Sequence, residues 1–182
     1  VSMDPVSYIT IKGFTIECAR QDAIRMTGVR HCQVINCRIT NVGNVGVNIG
    51  GIVSAYEEVG NPRIVSATGY EKIGAGAGGQ SLWSNDPGKN CKVIGCDVWE
   101  TGCEGIVLLG SDNLAENNHI YDIGLYAKDC PGINLLGERN VARKNTIHDL
   151  PRCAIFFKGV ENVMEFNDIH HVVLETKDMG AI

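Results

Sequence analysis

Short apolar runs alternate with polar turns along the whole chain, and they recur in a fixed order. Two ladders of side chains lie five positions apart: Ile9, Cys32, Cys91, Asn113, Asn140, Asn162, and Phe14, Cys37, Cys96, Asn118, Asn145, Asn167. Two residues beyond each member of the second ladder comes an aliphatic, in turn Ile16, Ile39, Val98, Ile120, Ile147 and Ile169. The pattern predicts a strand running through the ladders, over 34–39, 93–98 and 142–147. A polar turn follows, then a second strand closed by glycine, over 23–28, 46–50, 105–110, 132–137 and 154–159. Period-two alternation punctuated by glycine marks strands between turns.

A repeat this short leaves no room for a crossover helix. Two to three strands per repeat, with like side chains in file, stack as coils of a parallel β-helix. The expected fold is therefore an all-β solenoid of about six coils forming a single unit over 1–182. At one coil per ~4.8 Å it is roughly 29 Å tall. The ladder asparagines are expected to bond from coil to coil, as stacked amides do in other cross-stacked sheets. The chain opens on Val1 and stops within a recognisable repeat at Gly180-Ala181-Ile182, so a segment of a longer helix is expected. An open last coil is a template for pairing, so further coils or another chain are expected to cover that edge.

Composition supports this and narrows the partners. Aromatics are only 6% and glycines number 22, which suits short strands and tight turns. A net charge of −5 argues against a nucleic-acid footprint. No run of about 18 apolar residues exists to span a membrane, and no signal peptide is present. Eight cysteines raise the question of disulfides or zinc. Cys32 and Cys37, like Cys91 and Cys96, are too widely spaced for the short Cys-x2-Cys of a zinc site. They occupy ladder positions, where buried free thiols packing as small hydrophobes fit best. A disulfide between coils is the alternative, since Cα atoms about 4.8 Å apart are close but bridgeable.

A regular scaffold makes its departures informative. The largest lies at about 51–88, where the second ladder steps 59 residues from Cys37 to Cys96. Such an excursion forms either a groove wall, with Tyr56, Tyr70 or Trp83 against a sugar, or a loop packed on the side of the helix. Two smaller departures are equal to each other. From the second ladder to the next strand aliphatic is 10 residues in four coils, but 15 from Asn118 to Ile133 and from Asn167 to Ile182. The inserted stretches, 124–129 and 172–178, both end Lys-Asp, placing Lys128 with Lys177 and Asp129 with Asp178. Two coils apart, the aspartates lie about 9.6 Å apart along the stack, near the spacing of an acid–base carboxylate pair. Asp before Gly or Pro also makes a turn on its own account, and both readings stand at this point. Just before the insertions come Trp99-Glu100, Tyr121-Asp122, His148-Asp149 and His170-His171. That flank either binds a polyol or serves acid–base chemistry, or it is a turn ladder bonding to backbone. No cofactor is expected; a divalent metal such as calcium stays open as an alternative, although no dense acidic motif resembling a calcium loop supports it.

Three stretches in the C-terminal third carry a family likeness: Asn145-Thr-Ile-His-Asp-Leu-Pro-Arg-Cys-Ala-Ile-Phe-Phe-Lys-Gly159, Glu161-Asn-Val-Met-Glu-Phe-Asn-Asp-Ile-His170 and Glu175-Thr-Lys-Asp-Met-Gly-Ala-Ile182. They resemble right-handed parallel β-helix carbohydrate-active proteins, most of all those of glycoside hydrolase family 141. The resemblance implies a glycoside hydrolase acting on a complex polysaccharide, in a secreted or periplasmic setting. It places a catalytic carboxylate at Asp178, with its partner one or two coils further on. On the resemblance Asp129 is a groove or substrate residue, whereas the carboxylate spacing alone makes it a candidate second catalytic residue; Glu175, Lys177, Lys128, His148 and His171 are the expected substrate-binding neighbours. A polysaccharide lyase using Lys128 or Lys177 as base, and a non-catalytic binding or structural solenoid, are the alternatives.

Overall fold

The computed structural model of the protein describes residues 1–50, 87–177 and 179–182. The first coil is β1 (Ser2–Met3), β2 (Thr10–Lys12) and β3 (Thr15–Glu17). The second is β4 (Ile24–Met26), β5 (Gln33–Ile35) and β6 (Arg38–Thr40). The third is β7 (Val47–Ile49), β8 (Gly88–Lys89), β9 (Lys92–Ile94) and β10 (Asp97–Trp99). The fourth is β11 (Ile106–Ser111), β12 (Leu114–Glu116) and β13 (His119–Tyr121). The fifth is β14 (Ile133–Glu138), β15 (Val141–Arg143) and β16 (Thr146–His148); the sixth is β17 (Ile155–Val160), β18 (Val163–Glu165) and β19 (Asp168–His170). Each coil adds one strand to each of three parallel sheets, ordered β1-β4-β7-β11-β14-β17, β2-β5-β9-β12-β15-β18 and β3-β6-β10-β13-β16-β19, and the third coil adds β8 to the first sheet as well, beside β11. The chain is a parallel β-helix of about six turns, with no α-helix among the described residues.

The strand expected to run through both ladders is in fact broken before the second. A residue with positive φ precedes each second-ladder position: Gly13, Asn36, Gly95, Asn117, Lys144 and Phe166. Another column precedes the first ladder, from Tyr8 and His31 to Arg139 and Glu161, and a third lies at Cys18, Asn41, Glu100, Asp122, Asp149 and His171. One left-handed residue redirects an extended chain sharply, so each coil turns three corners and presents three faces. Small or polar residues at some of these corners tolerate αL, but Lys144 and Phe166 show that stacking overrides local preference.

The ladders do what the repeat predicts. In each, the backbone N–H of one coil donates to the ladder Asn Oδ1 of the next: Cys96 to Asn118, Asn118 to Asn145 and Asn145 to Asn167, at 2.9–3.0 Å. The amide Nδ2 of Asn118 donates back to the Val93 carbonyl, and that of Asn145 to Ala115. Each buried carboxamide thus staples its coil to both neighbours and satisfies backbone groups that corners leave unpaired. Where cysteine stands instead, the bond is weaker: the Cys37 N–H meets Cys96 Sγ at 3.5 Å. Cys32, Cys37, Cys91 and Cys96 are buried and free, and burial pushes the Cys96 thiol up to about 12. At neutral pH that sulfur packs as a protonated hydrophobe.

A different pair is bonded. Cys103 and Cys130 form a disulfide across adjacent coils, Cα to Cα 5.4 Å. Each precedes its strand aliphatic, Ile106 or Ile133, by three positions. Counting back from that aliphatic, rather than forward from the ladders, would have brought them together.

The interior is filled by like residues in file. Ile39, Val98, Ile120 and Ile147 are adjacent in one inward column and fully buried. In the third coil, β7 and β8 both pair with β11, Ile49 beside Leu108 and Gly88 beside Gly110. The long excursion therefore interrupts a single strand position after Gly50. Its body, 51–86 with Tyr56, Tyr70 and Trp83, lies outside the described residues. In the sixth coil, β17, β18 and β19 each pair on one side only, and Phe157, Phe166, Leu174 and Ile182 are exposed.

Candidate functional site

The two equal insertions fold identically. Gly124, Leu125, Tyr126 and Ala127 donate their backbone N–H groups to the carbonyls of Cys103, Thr101, Gly102 and Gly102. Val173, Leu174, Glu175 and Thr176 repeat this with Arg152, Leu150, Pro151 and Pro151. Each insertion therefore lies back over the turn of the preceding coil. The tight bend uses φ of 70° at Gly124 and 61° at Val173. A β-branched residue in that region is strained by about 1–2 kcal/mol, so the second insertion holds its shape against local preference.

Side chains join the insertions. Lys128 Nζ donates to Glu175 Oε1 at 2.9 Å, linking one insertion to the other. Asp129 accepts from Arg152, on the turn of the intervening coil. Its carboxylate therefore engages a side chain rather than capping backbone. Lys177 is exposed, and Asp178 lies outside the described residues, so the expected spacing of the two aspartates is not measured.

The first insertion also roofs a cleft. Tyr126, 70% exposed, and Leu125 border an open depression of about 290 Å³ that is also lined by Arg20, Asn41, Val42, Gly43 and Glu100. Gly102 makes room for the ring: a Cβ there would lie 2.9 Å from Tyr126 Cδ2 and 2.1 Å from the Gly43 carbonyl oxygen. The volume is near the lower limit of small-ligand sites. A depression lined by an aromatic residue together with arginine, asparagine and glutamate is a combination suited to a polyol, with C–H surface and hydroxyl partners both within reach. Tyr126 was legible only as part of the inserted stretch, whose shared Lys-Asp ending drew the attention.

Beside the cleft runs the turn flank. The third corner column, with Glu100, Asp122, Asp149 and His171, follows directly on an outward file of rings: Trp99, Tyr121, His148 and His170. Trp99 stacks on Tyr121 at 5.8 Å, Tyr121 on His148 at 5.3 Å and His148 on His170 at 4.7 Å, all within 10° of parallel. The rings cover one another's faces, so the file presents edges: an indole N–H, a phenol and imidazole nitrogens. His171 stands edge-on to His170, with Nδ1 atoms 2.8 Å apart. His119, outside the expected set, leans across Tyr121 and His148. Its position one residue after ladder Asn118 was available in the sequence, but its partner across the strands was not.

Asp149 accepts from His148 Nδ1 at 2.8 Å, and that bond, aided by the charges of His148, His171 and His170, holds its carboxyl below the usual range. Desolvation opposes this and loses. Of the seven expected residues, the structure thus gathers five into two groups, Lys128, Asp129 and Glu175 on the insertions and His148 and His171 on the flank. Among the described residues, Cys103, Glu104 and Cys130 converge as three metal-capable groups, but the two sulfurs are bonded to each other. No protein-family model, curated protein or solved structure matches the chain. The reading of function therefore rests on the residues.

Proposed function

We propose that this β-helix is a carbohydrate-active protein that holds a complex polysaccharide along its turn flank, acting as a glycoside hydrolase. The observation that carries the proposal is the cleft under Tyr126, which offers an aromatic face and polar partners next to a continuous polar edge. A polymer running across coils meets Glu100, Asp122 and Asp149 at about 4.8 Å intervals, with the two folded insertions beside it. Asp178 is proposed as acid or base. Asp129, engaged by Arg152, serves positioning or base work, and Lys128, Glu175, Lys177, His148 and His171 bind substrate. The Cys103–Cys130 disulfide favours an oxidising, secreted or periplasmic setting.

A non-catalytic binding solenoid is the second reading, favoured by the mutual engagement of Lys128 and Glu175, which reads as a strut. A lyase fits less well, since Lys128 would have to abandon that acceptor to serve as base. The test is a turnover screen on fucosylated and xylan-type glycans with the wild type and Asp178→Asn. Removing a general acid or base is expected to lower the rate about 10²–10⁴-fold. Equal turnover in the variant sinks the catalytic assignment, and binding without turnover selects the second reading.

A further inference from the structure

The ring file contains a contact that its stacking does not explain. His119 Nε2 and His148 Nε2 lie 2.8 Å apart, on diagonal positions of neighbouring strands β13 and β16. The outer nitrogen of each ring faces a carboxylate. His148 Nδ1 lies 2.8 Å from Asp149 Oδ2, and His119 Nδ1 lies 3.6 Å from Asp97 Oδ1. An ionised Asp149 can only accept, so His148 Nδ1 carries the hydrogen. In the neutral ring its Nε2 then bears a lone pair. The Asp97 carboxylate lies on the Nδ1 side of His119, at 3.6 Å and beyond hydrogen-bond reach. With Nε2–H on His119 the contact is a hydrogen bond to His148; with Nδ1–H on both rings two lone pairs face each other, a geometry that a cation between them satisfies.

We propose that His119 and His148 form a binding site for a borderline divalent transition-metal ion, zinc or nickel, through their Nε2 atoms. A carboxylate bonded to the far nitrogen, as Asp149 is to His148, is the outer-shell arrangement that fixes tautomer and raises basicity in metal-binding histidines. Imidazole pairs select such ions over calcium or magnesium, which require oxygen ligands. Widening the nitrogen separation by about half an ångström seats both at about 2.0–2.1 Å from one tetrahedral ion. The exposure is right for this: the His119 side chain is 42% exposed and that of His148 18%, so water or a ligand oxygen completes the shell. The site stands on this geometry alone and holds whether or not the flank binds polysaccharide.

Zinc chloride titrated into the full chain, followed by calorimetry, tests it. One equivalent is expected to bind at micromolar concentration. His119→Gln and His148→Gln are each expected to weaken binding at least tenfold. His31→Gln, at a corner away from the ring file, leaves both Nε2 ligands in place and is expected to keep the wild-type affinity. X-ray absorption on wild-type zinc-loaded protein supplies a readout free of any folding defect: nitrogen and oxygen near 2.0 Å, no sulfur near 2.3 Å. No zinc uptake means that the imidazoles share a proton only. That result, sulfur ligation, or affinity unchanged in both glutamine variants overturns the proposal.

Discussion

Gly137→Ala is expected to destabilise the protein severely and lower its melting midpoint far more than an ordinary substitution. Gly137 has φ of 118°, and a Cβ there would stand 2.1 Å from the Gly110 carbonyl oxygen and 3.1 Å from its carbon. The obstacle is backbone, so no rotamer change relieves it. Retreat is blocked as well, because β14 is hydrogen-bonded to β11 on one side and β17 on the other. That backbone region is close to glycine-only. The combined strain and lost pairing put the cost above about 4 kcal/mol, in the range of exceptional single substitutions. Gly13→Ala is the control: it also has positive φ, but nothing lies within 4 Å of its Cβ. It should cost only about 1–2 kcal/mol. Circular dichroism melting compares the two, and similar midpoints would show that close coil stacking at Gly110 and Gly137 is wrong.

The second large effect lies in the asparagine ladder. Replacing Asn145, 1% exposed, with leucine keeps the bulk but removes every staple. It strands the Asn118 backbone N–H, one hydrogen of the Asn118 amide and the Ala115 carbonyl. Buried polar groups left unpaired cost about 1–3 kcal/mol each. The expected loss is about 3–5 kcal/mol, against a total stability of about 5–15 kcal/mol for a typical domain. Asn167→Leu, at the half-buried end of the ladder, should cost clearly less. Urea unfolding midpoints measure both, and a loss below about 1 kcal/mol for Asn145→Leu would mean that the ladder contributes packing alone.

These two residues show why the fold was readable. The asparagine recurs because each copy bonds its neighbours, and the glycine because each copy lies against the carbonyl of the one below. A periodic sequence therefore prints its own stacking. The split of the ladder strand was harder to see, because residues as unlike as Gly95, Lys144 and Phe166 make the same corner. The corner is imposed by neighbouring coils and leaves little trace in residue type. The disulfide was hidden by the choice of origin: Cys103 and Cys130 align only when counted back from the strand. At the site, the equal insertions were legible as a change of spacing. Their contacts were not, since the link from Lys128 to Glu175 depends on how far each side chain reaches over the turn. The His119–His148 contact is diagonal between strands, and a register drawn in columns does not bring diagonal neighbours together.

The central claim is that the cleft under Tyr126 and the polar flank beside it hold a polysaccharide. Affinity electrophoresis through gels containing xylan-type or fucosylated polysaccharides tests it most directly, comparing the wild type with Tyr126→Ala. The ring is mostly solvent-exposed, so its loss should leave the fold intact. The account predicts that at least one of these glycans retards the wild type and that Tyr126→Ala migrates as in a gel without glycan. Equal retardation of the two proteins, or none of the wild type across the panel, would contradict it.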